Sequence, residues 1–146
     1  MNVILGADHG GFKAKEELKS WLVKNGYRVV DVGASTILPE DDYSEYAKSA
    51  VKMIESKDDR VILFCRNGFG MVIAANRFVG VRCGLAFSEG AVAKGRIDDD
   101  INCLSIPADY FDGLSVIKMV EVFLSHEFAR EDKYIRRVMK LDSLIQ

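Results

Sequence analysis

The apolar runs in this chain are short, and each leads into a segment whose apolar residues recur at helical spacing. Val3-Ile4-Leu5 passes through Gly6-Ala7-Asp8-His9-Gly10-Gly11 to a stretch with Leu18, Trp21 and Leu22 on one face. Val61-Ile62-Leu63 passes through Phe64-Cys65-Arg66-Asn67-Gly68-Phe69-Gly70-Met71 to Val72-Ile73-Ala74-Ala75-Asn76. Glycine-bounded runs of this length read as buried strands, and the spacing after them reads as helix. The pattern predicts strands over Val3–Leu5, Tyr27–Val32, Val61–Phe64, Gly80–Ala86 and Asn102–Ile106. Helices are expected over Phe12–Lys24, Tyr43–Ile54, Gly68–Asn76, Ser88–Lys94, Tyr110–Phe123 and Asp132–Leu144. Parallel strands need crossovers of this size, so the expected fold is α/β. It is a Rossmann-like three-layer sandwich, a five-stranded parallel sheet flanked by helices. No repeat or linker interrupts residues 1–146, which read as one domain.

In such sheets ligands sit at the carboxyl ends of strands, near the point where strand order reverses. Asp8-His9, Cys65 and Asp98-Asp99 are all expected at such ends. Cys65 then stands where a strand stops and a helix begins, beside outward-pointing backbone N–H groups. Anions bind at helix starts, and a cysteine placed there ionises more easily. A reachable thiolate beside an anion cradle can take a proton from carbon. The alternative is a small, inert core residue at a strand end.

Composition narrows the classes. With 49% apolar and 29% charged residues, 146 residues can bury a sizeable core. A net charge of −2 offers no electrostatic reason to expect nucleic acid. No apolar run approaches a membrane span, and no basic flank precedes Val3-Ile4-Leu5 as in an export signal. Cys65, Cys83 and Cys103 are odd in number and widely spaced, with neither zinc spacing nor a disulfide framework. A reducing cytoplasm is the expected setting.

Gly6-Ala7-Asp8-His9-Gly10-Gly11-Phe12, Asp42-Tyr43, and Cys65 with Gly68, Gly70 and Ala74-Ala75-Asn76 together resemble the ribose-5-phosphate isomerase B family. That family includes the galactose-6-phosphate isomerase subunits, and the resemblance runs from Met1 to about Leu141. It implies an aldose–ketose isomerase of carbohydrate metabolism, in the pentose phosphate pathway where the sugar is ribose 5-phosphate. It also implies a homodimer or dimer of dimers with a site completed by the partner, and neither metal nor organic cofactor. The helix near 132–144 would pack on that partner. Cys65 corresponds to the family's base, working through an enediolate. N–H groups from Asn67 to Met71, spanning Gly68, Phe69 and Gly70, would hold the developing charge. Asp8 would hold sugar hydroxyls, His9 the phosphate or ring oxygen, and Tyr43 would lie near the sugar. Otherwise Asp8-His9 is a helix-capping turn and Tyr43 ordinary boundary material.

The departures are equally informative. Arg66-Asn67-Gly68 stands where the family reads Gly-Thr-Gly. Asn67 donates a hydrogen bond but relays a proton less readily than threonine. Arg66 adds a charge that narrows the pocket, lowers the Cys65 pKa, grips an anion, or simply faces solvent. Asp98 and Asp99 occupy the positions of a His-Asn pair whose histidine opens the sugar ring. Asp98 would act as an acid–base group if its neighbours raised its pKa; otherwise the acids form a solvated loop. Lys133 and Arg137 match phosphate-binding arginines that reach across the dimer, and Asp109 replaces a further arginine. The expected activity is aldose–ketose isomerisation of a sugar phosphate, either ribose 5-phosphate/ribulose 5-phosphate or a related pentose or hexose phosphate. Its rival is a non-catalytic sugar-phosphate-binding subunit or sensor of the same family. A nucleotide-binding or phospho-acceptor module is disfavoured, since the chain has no Gly-x-x-x-x-Gly-Lys loop and its third strand ends in cysteine rather than aspartate.

Overall fold

Alternation of apolar side chains along the strands decides which helices cover which side of the sheet. The computed structural model describes residues 1–144. Its elements run β1 (Asn2–Ala7), α1 (Phe12–Lys24), β2 (Arg28–Asp31), α2 (Tyr43–Val51), β3 (Arg60–Cys65) and α3 (Phe69–Ala75). They continue β4 (Cys83–Leu85), α4 (Glu89–Asp99), β5 (Cys103–Pro107), α5 (Gly113–Ser125) and α6 (Asp132–Asp142). The sheet is wholly parallel, ordered β2-β1-β3-β5-β4.

Val3, Leu5, Ala7, Ile62 and Phe64 point to one side, packed with Leu18 and Leu22 of α1, Val92 of α4 and Val116, Met119, Val120 and Phe123 of α5. Ile4, Val61, Leu63 and Cys65 point to the other, packed with Ala47, Ala50 and Val51 of α2 and Met71 and Ala75 of α3. This period of two follows from the pleat. Both faces are covered, which is why the strands read as continuous apolar runs. Among the described residues no helix is long and apolar enough to cross a membrane.

Strand order reverses between β1 and β3, which pair from Val3↔Arg60 to Ala7↔Phe64. Their carboxyl ends therefore flank a crevice, occupied by Asp8 and Cys65.

Three boundaries differ from expectation in ways that matter. β4 is shorter, because Gly80 (φ 76°) turns the chain and the Arg82 amide donates to the Asn102 side chain instead of a strand partner. α5 begins later, where the Asp112 side chain accepts the Ser115 amide as an N-cap. α4 runs on through Gly95 to Asp99 and stops at Asp100, whose φ of 49° ends the helix. That extension puts Asp98 and Asp99 on helix, not loop, with consequences for the site.

Candidate functional site

Residues from three carboxyl-end loops converge on the crevice. After β1, the Asp8 carboxylate accepts the Gly11 amide at 3.0 Å and is 6% exposed. Burial raises its pKa, against the pull of the Gly11 amide and of His9. His9 is held by Asp41, from the loop between β2 and α2. One carboxylate oxygen accepts both the His9 backbone N–H at 3.1 Å and the Nδ1 side of the ring at 2.7 Å. Burial opposes the Asp41 charge, but the His9 ring and amide outweigh it and hold the carboxyl below its usual range. An ionised Asp41 only accepts, so Nδ1 carries the proton and Nε2 is left for a ligand.

Asp41 escaped the sequence reading. The acidic run Glu40-Asp41-Asp42 was its only signal, and nothing in that run singles out the middle member. The nearby Tyr46 hydroxyl also helps hold the Asp41 charge, while the second carboxylate oxygen, Oδ2, is buried with no hydrogen bond of standard geometry among the described residues. Asp8, His9 and Asp41 bring three donor atoms within 4.8 Å, enough to surround a metal ion. The 2.7 Å His9–Asp41 contact already has the length of a charge-assisted hydrogen bond, and satisfies two of those atoms.

After β3, the Cys65 sulfur accepts the Gly68 amide at 3.2 Å. Gly68 has φ 78°, and a Cβ there would stand 2.5 Å from Leu85 Cδ1 and 3.3 Å from the Pro107 nitrogen. Only glycine lets the chain turn back over the sulfur here. The Ser105 hydroxyl fixes the turn by donating to the Gly68 carbonyl at 2.7 Å. Asn67 is exposed and its side-chain oxygen accepts the Phe69 amide at 3.1 Å, leaving its NH₂ free to donate. Tyr43, at the start of α2, lies against Gly70: a Cβ on Gly70 would be 2.7 Å from the ring's Cζ. Asp8, His9, Tyr43, Cys65, Asn67, Gly68, Phe69 and Gly70 thus share one edge of the molecule.

Several expectations are corrected. Cys65 is not an exposed, acidified thiol. It is 4% exposed, and burial pushes its pKa up despite the N–H groups of Met71, Gly68 and Asn67, with Asp8 adding to the rise. The physical reason is the pleat, which turns Cys65 inward toward Met71 and Ala75. Arg66 is not among the groups that shift it, and its guanidinium lies 3.9 Å from Asp109.

Asp98 and Asp99 are not at a carboxyl end. They close α4 at the amino end of β5, whereas Cys65 pairs with Pro107 at the other end, a strand length or about 15 Å away. Asp98 Oδ1 is buried there without a partner among the described residues, and Asp99 is exposed. Lys133 and Arg137 lie on α6, which is tied to that same amino end through Asp142–Arg82 at 3.1 Å and, just before the helix, Ala129–Ile97. Both bracket the Tyr134 ring and are remote from the thiol of their own chain. On α6 Val138 is buried, whereas Ile135, Leu141 and Leu144 are 37%, 46% and 75% exposed.

A profile of the ribose/galactose isomerase family matches residues 3–141. The chain belongs to that family. One relative, the 4-deoxy-4-sulfo-D-erythrose isomerase of Clostridium sp. (strain MSTE9), is 37% identical over 131 residues, spanning 88% of this chain and 81% of that protein. The crystal structure of ribose 5-phosphate isomerase from Thermotoga maritima superposes with a TM-score of 0.92 at 33% identity, covering 97% of both chains. Ribose-5-phosphate isomerase B from Mycoplasma genitalium, with bound ribulose-5-phosphate, gives 0.91 at 29% identity over 98% of this chain and 95% of the other.

Proposed function

We propose that the chain is an aldose–ketose isomerase for a short sugar bearing a terminal anion, with Cys65 as its base. The supporting observation is the Cys65 sulfur under the Gly68 turn, across the β1/β3 crevice from Asp8 and the His9–Asp41 pair. The thiolate removes the proton from C2 of the open aldose. Electrons move into an enediolate whose charge falls on O1, toward the Asn67–Met71 amides and the Asn67 side chain. The same proton returns from sulfur to C1, and the hydroxyl proton of O2 passes to O1, giving the ketose. Asp8 and His9 hold the sugar hydroxyls and Tyr43 closes the side of the pocket. A raised thiol pKa leaves little thiolate at neutral pH but makes each thiolate a stronger base toward carbon.

The terminal group is phosphate in ribose 5-phosphate and sulfonate in 4-deoxy-4-sulfo-D-erythrose, the sugars in the relatives' names. The second sugar has no C4 hydroxyl and cannot close a furanose ring. It needs no ring-opening histidine, which agrees with Asp98 at that position.

Incubation in deuterated water with D-ribose 5-phosphate, hexose phosphates and 4-deoxy-4-sulfo-D-erythrose tests the reading. An isomerase washes deuterium into at least one of them, and Cys65→Ala abolishes the exchange while ligand still binds. Unchanged exchange in that variant removes the thiolate mechanism. Burial of the sulfur favours one rival, a sugar-phosphate-binding subunit without turnover, which binds a sugar yet exchanges nothing.

A further inference from the structure

Two departures from the family pattern meet in space. Arg66 Nη1 lies 3.9 Å from Asp109 Oδ2. Their loops are stitched together, the Ala108 amide donating to the Cys65 carbonyl at 2.9 Å and the Asp109 amide to the Arg66 carbonyl at 3.0 Å. The Arg66 stem rests on the turn after β1, where a Cβ on Gly10 would be 2.4 Å from its Cγ. The pair therefore stands between the Asp8-His9 turn and the loop after β5, one residue from the thiol. Around it the crevice is acidic, with Asp8 and Asp41 on the β1 side.

We infer that Arg66 and Asp109 seat the substrate's terminal anion and select a monoanionic sulfonate over a dianionic phosphate. The inference rests on the isomerase reading for where the sugar lies. A guanidinium fork can grip two oxygens of either group. A phosphate monoester, however, carries between −1.5 and −2 charges at neutral pH, whereas a sulfonate carries a single one. Asp109, 3.9 Å from Arg66 and like it exposed to solvent, offsets part of its charge, so the seat offers donors with a reduced net positive field. Each extra negative charge on the head group then meets Asp109 with no second cation from these two loops. The pair keeps the directional hydrogen bonds and drops the attraction for a second charge.

Non-isomerisable alditols test this without relying on turnover. Erythritol 4-phosphate and 4-deoxy-4-sulfoerythritol, matched in length, are titrated calorimetrically into the wild-type chain, Asp109→Asn and Arg66→Gln. The wild type should bind the sulfonate about tenfold tighter than the phosphate. Asp109→Asn should narrow that ratio about tenfold, chiefly by tightening the phosphate, and Arg66→Gln should weaken both about tenfold. A wild type that prefers phosphate, a ratio unmoved by Asp109→Asn, or no binding of either compound overturns the inference. If the sulfonate binds as expected but 4-deoxy-4-sulfo-D-erythrose gains no deuterium, the isomerase reading fails and the anion seat stands.

Discussion

The hydroxyl-bearing edge of the Tyr43 ring covers Gly70 so closely that a methyl group on Gly70 would stand 2.7 Å from Cζ and 2.8 Å from Cε2. Gly70 is the second residue of α3 and needs no unusual backbone angle, so alanine suits its conformation and is the better helix former. Tyr43 is 44% exposed and can swing outward. Gly70→Ala should leave the melting temperature unchanged or slightly higher while lowering kcat/KM about tenfold through a displaced Tyr43. Gly68→Ala should behave differently, because its φ of 78° and the Leu85 contact strain the fold itself. A loss of about 1–3 kcal/mol is expected there. Parallel thermal melts and steady-state rates on the two variants check the contrast.

Burial of Cys65 gives the rate a definite pH dependence. The active form is the thiolate, and the folded pKa is raised, so kcat/KM should climb with pH past the ordinary thiol range of about 8.5. Asp8 adds to that elevation. Asp8→Asn removes its charge and should shift the rising limb to lower pH, even though the overall rate falls with the lost substrate contact. A limb centred near neutrality in the wild type, or unmoved in the variant, would contradict the assignment of base and neighbour.

Acid stability should depend on an ion pair away from the chemistry. Lys15 is fully buried and donates to Asp31 at 2.7 Å, and Lys19 shares the same oxygen. Burial opposes the Asp31 charge, but the two lysines prevail and its pKa is lowered. A folded value below the unfolded one means that the contribution is complete above about pH 4 and is lost as pH falls through the folded value. Asp31→Ala should cost about 3–5 kcal/mol near neutrality by leaving Lys15 buried with less compensation, and should flatten the acid limb of stability. The double variant Lys15→Met/Asp31→Leu should recover most of that loss. Urea unfolding at several pH values measures both effects.

What could be read beforehand divides along physical lines. The strands were legible at Val3-Ile4-Leu5 and Val61-Ile62-Leu63 because both faces of a parallel sheet are buried and demand continuous apolar runs. The Cys65–Met71 loop was legible because a left-handed turn needs Gly68. The ionisation of Cys65 was not, since burial across the sheet sets it and local residues do not reveal burial. Asp98 was misplaced because it precedes β5, and residues leading into a strand of a parallel sheet lie at its amino end. Asp41 was invisible because its partner His9 lies 32 positions away.

Position also governs how Lys133, Arg137 and Asp98 can act. All three lie toward the amino end of the sheet, whereas Cys65 is at the carboxyl end, so a role for them at a thiol requires the thiol of another copy. The exposed Met139, Leu141 and Leu144 of the α6 region supply apolar surface for such a contact. Cys65→Ala lacks the base and Arg137→Ala lacks the cation, so each variant alone should be nearly inactive. In a twofold dimer with shared sites, a mixed pair has one site with both lesions and one with neither. Mixing equal amounts after mild denaturation and refolding forms mixed pairs about half the time, so about one quarter of wild-type activity should return. Activity that stays at the level of the separate variants, with sedimentation showing a monomer at micromolar concentration, would mean that Arg137 serves no thiol in any copy.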